Sequence, residues 1–418
     1  MGYPGGAVAV GQGSGGGEPY LSIQHEWSAL RSWRRFLTAV LPALAAALTG
    51  VTVLAVSGNL LLPFERVTTI EGKTASKRDY FEDVEVQRLL MKHHIRVHLT
   101  GSGSLDVARA DLDPFDFAFL SGQPAGQLLT DRRAKEKEFY KVYRPFVSPI
   151  VLATYRGYAE TLQAAGIATA MNGNGNGQEP PLYFKLNLNA FFSSVEKGTK
   201  WNDIGAPEHG VSNGNRVLAQ VPDVCRSNSG YTYLALVAFT RNGGVVPTNV
   251  EEADALARKI KPLLTAQGLP LVNVFLTYAS SEGKGVGPVV VAYEHQYLAY
   301  QARYQARTGT LDTDRVLLYP SPQSVTQPEF VALNNRGDRL GDLIVHDPEL
   351  RNRAMELGFR ILGPTAGEAA GDQLAHFLRE RGIPVPDAAD DTKSSMSTID
   401  LLERMISIVG DCASAPAE

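Results

Sequence analysis

Residues 66–104 read RVTTIEGKTASKRDYFEDVEVQRLLMKHHIRVHLTGSGS. A β-like run, RVTTI, leads into the amphipathic stretch VEVQRLLMKHHI, and RVHLT then restores the β pattern. The alternation continues through LDVARA and DFAFL within residues 105–120. Strand and helix signals that alternate in this way predict an open α/β fold with a largely parallel sheet. In such sheets ligands collect beyond the carboxyl ends of the strands, so the residues after each β run are the candidates for a site.

Further along, FVSPIVLATY (146–155) reads as a strand and AETLQAAGI (159–167) as a helix, ahead of the low-complexity loop MNGNGNGQEPP (171–181). A second α/β set follows, with LYFKLNLNAFFSSVEKG (182–198), a strand in RVLAQVP (216–222), and helices in YTYLALVAFT (231–240) and EEADALARKIKPLLTAQG (251–268). GPVVVAYEHQYLAY (287–300) reads as a strand, and RVLLYPSPQSVTQPEFVALN (315–334) as extended chain punctuated by proline. DPELRNRAMELGFRI (347–361) reads as a helix capped by Asp347 with Pro348 at its first position. Two more helical patterns occupy 372–381 and 398–409.

Before the α/β region, residues 36–64 run for 29 residues without a charge, more than the roughly 20 apolar residues that span a bilayer. We read a single transmembrane anchor over 36–58, uncleaved because its apolar core exceeds the roughly 7 to 15 residues of a signal peptide. Arg31, Arg34 and Arg35 precede it, which keeps residues 1–35 in the cytoplasm as a glycine-rich disordered tail. Everything after Phe64 is then extracytoplasmic, held to the cell membrane by one pass. The chain has 418 residues, a formal charge of −4 and 44% hydrophobic residues, and no basic stripe with interleaved aromatics to mark nucleic acid as a partner. Cys225 and Cys412 both fall on the exported side, where an oxidising environment permits a bridge; two unrelated buried thiols are the alternative.

Four β runs lead into small hydroxyl residues beside glycine. Gly72, Lys73, Thr74, Ser76 and Lys77 follow the first, Gly101, Ser102, Gly103 and Ser104 the second, and Ser121 and Gly122 the third. Arg226, Ser227, Asn228, Ser229 and Gly230 follow the fourth, at the start of a helix. Each alone is ordinary turn or cap composition. Together they predict loops that aim backbone N–H and hydroxyl donors at one small polar or anionic ligand. Other chemistries lack partners. GKT at 72–74 has Val67 where a P-loop needs glycine, and Ser194 with Lys197 forms Ser-x-x-Lys without a KTG or SDN companion. His93, His94 and His98 have no carboxylate or cysteine at metal-ligand spacing and read as the end of a helix and the start of a strand. With no nucleophile, base and orienting group to name together, neither an enzyme nor a metal or cofactor is expected. Trp201, in a loop, either stacks on a ligand or, more commonly, plugs a core. Tyr293 and Glu294 either face the ligand or cap the next helix.

Taken in order, these residues carry a resemblance. Gly101-Ser102-Gly103, Asp116-Phe117 with Ser121, Trp201-Asn202-Asp203, and Ser229-Gly230 at a helix start are similar to the motif order of phosphate receptors. Those receptors are type II periplasmic solute-binding proteins, a family that serves ABC importers and includes molybdate receptors. The chain resembles the family over about residues 67–362. The resemblance implies an α/β fold of two lobes, the type II periplasmic-binding-protein-like arrangement, here preceded by one transmembrane helix. Residues 65–156 would begin lobe one, 157–310 form lobe two, 311–365 return to lobe one, and 366–418 supply C-terminal helices and a tail. It implies donors at Ser102 and Ser104 from one lobe, at Ser229 with Gly230 from the other, and Tyr293 on the closing lobe. A Cys225–Cys412 bridge would tie the C-terminal helices across the back.

Three departures bear on the ligand. Gly122 stands where the phosphate receptors have an aspartate, and Tyr231 where they have a threonine. Glu294 adds a carboxylate that would repel an anion, against the pull of Lys73, Lys77 and Arg226. Two readings result. One is a membrane-anchored extracytoplasmic solute-binding protein that holds a small ligand, an oxyanion or another polar solute, between two lobes for an ABC permease or for sensing. The other is a tethered module that binds a cell-envelope protein and keeps only the fold.

Overall fold

The computed structural model describes residues 40, 42, 44, 46–50, 52, 66–75, 78–171, 180–266, 274–362, 372–386 and 395–412. The chain divides into two compact units, Met1–Glu65 and Arg66–Glu418. In the first, the described residues are helical, and the Thr52 hydroxyl donates to the Leu48 and Thr49 carbonyls. Among the described residues no helix is long and apolar enough to cross a membrane. Most of the expected anchor, the N-terminal tail and residues 172–179 of the low-complexity loop lie outside the described residues.

The second unit is built on strands β1 (Thr68–Thr74), β2 (Ile95–Gly101), β3 (Phe117–Leu120), β4 (Lys141–Tyr143), β5 (Phe146–Tyr155), β6 (Ala168–Ala170), β7 (Tyr183–Asn187), β8 (Val289–Tyr293), β9 (Arg315–Ser321), β10 (Val325–Thr326), β11 (Glu329–Ala332) and β12 (Arg360–Ile361). They form one sheet in the order β2-β1-β3-β11-β4 and another in the order β10-β5-β9-β7-β6, with β8 and β12 also on β5. β1 is parallel to β2 and β3, and β7 to β9. The pairings of β11, β10, β12, β8 and β6, and that of β5 with β9, are antiparallel. The sheets are therefore mixed, where the alternation of strand and helix signals led us to expect a largely parallel one. The reason is that β11 and the long β5 return against their neighbours.

Local chemistry explains the register. Gly72 has no side chain because the Phe117 ring lies where one would go, 2.2 Å from a would-be Cβ, and Phe117 then stacks on Phe330 at 4.5 Å between centroids. Buried Asp116 accepts from the Glu71 N–H and the Asn334 amide, both at 2.8 Å, and pairs with Arg336. It thus fixes the start of β3 to β1 and to the helix Asn335–His346. All ten residues of β5 are buried. Its first half pairs with β10 and β12 and its second with β8 and β9. Phe146 at its start stacks on Phe359 at 4.6 Å and meets Tyr80 at 4.7 Å. One hydrophobic core consequently runs from Ile70 and Phe117 under the first sheet to Leu152 and Tyr183 under the second.

Two further expectations change. RVLAQVP is not a strand; it makes two isolated bridges to different partners, Arg216 to Lys200 and Gln220 to Val290, the second because Gln220 bonds both the Val289 carbonyl and the Val291 N–H. The run 287–300 is strand only to Tyr293, and a helix, Glu294–Thr308, begins at the next residue. Asp347 caps the helix Pro348–Glu356 as expected, accepting from the Leu350 N–H. Helices also occupy Asp372–Glu380 and Ile399–Gly410, and Cys225 and Cys412 are bridged.

Candidate functional site

The ends of β1, β2 and β3 meet side by side. The Ser102 N–H donates to the Thr74 carbonyl and the Ala75 N–H to the Phe119 carbonyl, both at 3.0 Å. Ser104 opens the short helix Ser104–Arg109, and its buried hydroxyl accepts from the Ser121 N–H at 3.4 Å. A Cβ on Gly103 would lie 3.5 Å from the Arg226 carbonyl, so the loop after β2 and the segment 226–230 are in contact.

That segment is shaped by Asp223. Its carboxylate accepts from the Cys225 N–H at 2.8 Å, and its carbonyl accepts from the Arg226 and Ser227 N–H groups. The helix Asn228–Arg241 starts immediately afterwards. Twelve of its fourteen residues are buried, and no side chain caps its N-terminus, which leaves first-turn N–H groups at the loop. Ser227 and Ser229 share a hydrogen bond of 2.9 Å between their hydroxyls. Gly230 passes so close to the preceding turn that a Cβ would lie 2.6 Å from the Pro222 carbonyl oxygen. Asn228 reaches across to the other loops. Its amide Nδ2 donates to the Ser121 carbonyl at 3.2 Å and to the Tyr293 hydroxyl. Burial pushes the Tyr231 phenol far above its ordinary pKa, against a smaller downward pull from the Ser104 hydroxyl beside it.

The structure therefore brings together Thr74, Ser102, Gly103, Ser104, Ser121, Ser227, Asn228, Ser229, Gly230 and Tyr293. Arg226 is exposed at their edge. Lys73 is not among them. Neighbours along a strand face opposite ways, and with Thr74 turned inward Lys73 lies over the Phe115 ring at 5.1 Å. Ser76 and Lys77 lie outside the described residues. Glu294 is also withdrawn, which corrects its expected place in the ligand set. Its carboxylate is 0% exposed, paired through both oxygens with Arg360 at 2.6 Å and bonded by the Tyr319 hydroxyl at 2.6 Å. Burial alone would lower the Arg360 pKa, but Glu294 outweighs it and holds the guanidinium charged.

Several other candidates acquire structural partners. Trp201 is fully buried and edge-on to Tyr158 at 4.7 Å, so it plugs the core. His93 bonds Asp347 at 3.0 Å and His98 bonds Glu71 at 2.6 Å; both carboxylates are distant in sequence from their histidine, and the spacing did not reveal them. Sequence reasoning also missed a serine, histidine and carboxylate that do meet. The Ser148 hydroxyl is 2.8 Å from His295 Nδ1, and His295 Nε2 is 3.4 Å from Asp79. Ser148 sits inside β5 with no exposed surface, so this hydroxyl is a structural link and cannot meet a substrate in this conformation. No local signal could have found it, since the three residues lie on three separate elements.

No family model matches the chain, and no curated protein matches it. Among solved structures, iron-bound HitA from Pseudomonas aeruginosa is similar at 12% identity with a TM-score of 0.46, over 82% of this chain and 99% of that one. The substrate binding protein of the ABC transporter from Agrobacterium tumefaciens is similar at 13% and 0.45, over 83% and 96%. The sulfate-binding protein SubI from Mycobacterium tuberculosis H37Rv is similar at 14% and 0.41, over 76% and 92%. These likenesses are distant, and none of them assigns a ligand to this chain.

Proposed function

We propose that this chain is an extracytoplasmic solute-binding protein, tethered by the uncharged run at 36–64, that holds a small polar or anionic ligand between the loops after β1, β2 and β3 and the start of the helix Asn228–Arg241. The observation that supports it is the convergence of three strand-end loops and one helix start, distant in sequence, on one largely buried cluster of hydroxyls and helix-start N–H groups around Asn228. Such groups bind anions and polar solutes without needing a formal positive charge. Arg226 at the edge adds attraction for an anion. Delivery to an ABC permease or a sensing partner is the role that suits such a module.

The second reading, a tethered module for a cell-envelope protein, draws on the direct bond from Asn228 to Ser121, which already closes the loops on one another. A thermal-shift screen of oxyanions, amino acids, organic acids and sugars separates the two. A ligand at 100 times its Kd adds about 2.7 kcal/mol of stability. A screen in which no compound class moves the melting temperature discards the solute reading. A shift that survives Ser229→Ala combined with Ser102→Ala places the ligand elsewhere.

A further inference from the structure

We infer, resting on the solute-binding reading above, that Asn228 makes this a site for solutes that bring a hydrogen-bond donor, such as a monoprotonated oxyanion, and selects against solutes that only accept. Asn228 is 1% exposed. Its Nδ2 faces the Ser121 carbonyl, which can only accept, so the amide cannot be turned round. The second hydrogen of Nδ2 goes to the Tyr293 hydroxyl. Both donors of the amide are thereby used inside the protein. Its other end is not: Oδ1 is buried and has no hydrogen-bond partner among the described residues.

An amide oxygen in that position is an unmade bond of a kind folded proteins seldom leave. It stands at the first residue of a fourteen-residue helix, among groups suited to the acceptor atoms of a ligand. The hydroxyls of Ser227, Ser229 and Tyr231 can rotate to donate or accept. Oδ1 cannot, and an acceptor-only solute would set lone pair against lone pair there. A solute with one O–H or N–H satisfies Oδ1 while its remaining oxygens take the surrounding donors. The discrimination is by hydrogen count at equal shape, which is the kind a buried polar group enforces most strongly.

The test uses the full chain and matched pairs at pH 6.5, with binding followed by calorimetry. Phosphate is set against sulfate, and lactate against isobutyrate, in which a methyl group replaces the hydroxyl. Within a pair that binds, the donor-bearing member should be tighter by on the order of tenfold or more. Asn228→Ala should bring the two members of that pair close to parity by weakening only the donor-bearing one. Equal or tighter binding of the acceptor-only member by the unaltered chain overturns the inference and leaves solute binding standing. Binding by no member of any pair, together with a blank result in the wider screen, removes both. Should Asn228→Ala fail to fold, the comparison on the unaltered chain decides alone.

Discussion

Arg109, the last residue of the helix that Ser104 opens, pairs with Glu403 on the C-terminal helix Ile399–Gly410. The same helix holds Asp254 through Arg404, and Asp411 just beyond it pairs with Lys261. It thus reaches both the helix that Ser104 opens and the helix Val250–Thr265, which packs on Asn228–Arg241. Arg109 is half-exposed, so Arg109→Ala should cost no more than about 1 kcal/mol in global stability. Its local effect should be larger. Hydrogen exchange of residues 399–410 and of the 101–104 loop is expected to rise together, and unchanged protection in both would show the pair to be idle.

The bridge from Cys225 to Cys412 spans 187 residues and holds the turn just ahead of Ser227. Replacing both cysteines by serine should lower unfolding stability by about 2–5 kcal/mol. Urea titration measures this directly. A loss well under 1 kcal/mol would mean the ion pairs of the C-terminal helix fix it without the bridge.

Gly230→Ala puts a methyl group 2.6 Å from one backbone carbonyl oxygen and 2.9 Å from another, those of Pro222 and Asp223. Backbone must move to admit it, at a cost of about 1–3 kcal/mol. Any solute found by the screen should bind more weakly to this variant. Undiminished affinity would remove the start of the Asn228–Arg241 helix from the site.

Arg360→Met leaves the Glu294 carboxylate buried without its counter-charge, and should destabilise by about 3–5 kcal/mol. Adding Glu294→Gln should recover much of that, as judged by chemical denaturation of the single and double variants. Failure of the second change to restore stability would locate the contribution of Arg360 in packing.

Asp83 caps the helix Val84–Lys92 and pairs with Arg353 at 2.7 Å. Burial alone would raise its pKa, but the Arg353 bonds and the Val86 and Glu85 N–H groups outweigh that and hold it below the ordinary carboxylate value. A depressed folded pKa means the contribution is present at neutral pH and is lost as the pH falls through the folded value. The stability advantage of the native chain over Asp83→Asn should therefore narrow below about pH 4. An advantage that stays constant from pH 7 to pH 3 would contradict the pairing.

Much of this layout is legible in the residues themselves. The runs at β1, β3 and β5, the cap at Asp347 and the glycines beside hydroxyl residues are local signals with local causes. What misled was continuity. VVVAYE carries no break between β8 and the helix at Glu294, because Tyr293 serves as the last strand residue and the N-cap at once. The alternation in RVLAQVP looks like a strand, yet it finds only isolated bridges, at Arg216 and Gln220, to two separate segments. Lys73 and Thr74 are adjacent in the chain and on opposite faces of β1, so a list of loop residues overstated the site by one cation. Glu294 and Arg360, or Asn228 and Ser121, meet only when distant segments pack, and no spacing rule encodes them.

β5 carries a consequence for movement. It is one uninterrupted strand whose partners change between Pro149 and Ile150, so the elements on β10 and β12 and those on β8 and β9 hang on a common axle. Any swing of one group against the other must be taken up as torsion in this strand as well as in the looser connections around it. Proline has its φ locked near −65°, which removes one of the torsions nearest the change of partners. With that torsion fixed, a swing of one group against the other falls to the remaining backbone torsions on either side of Pro149.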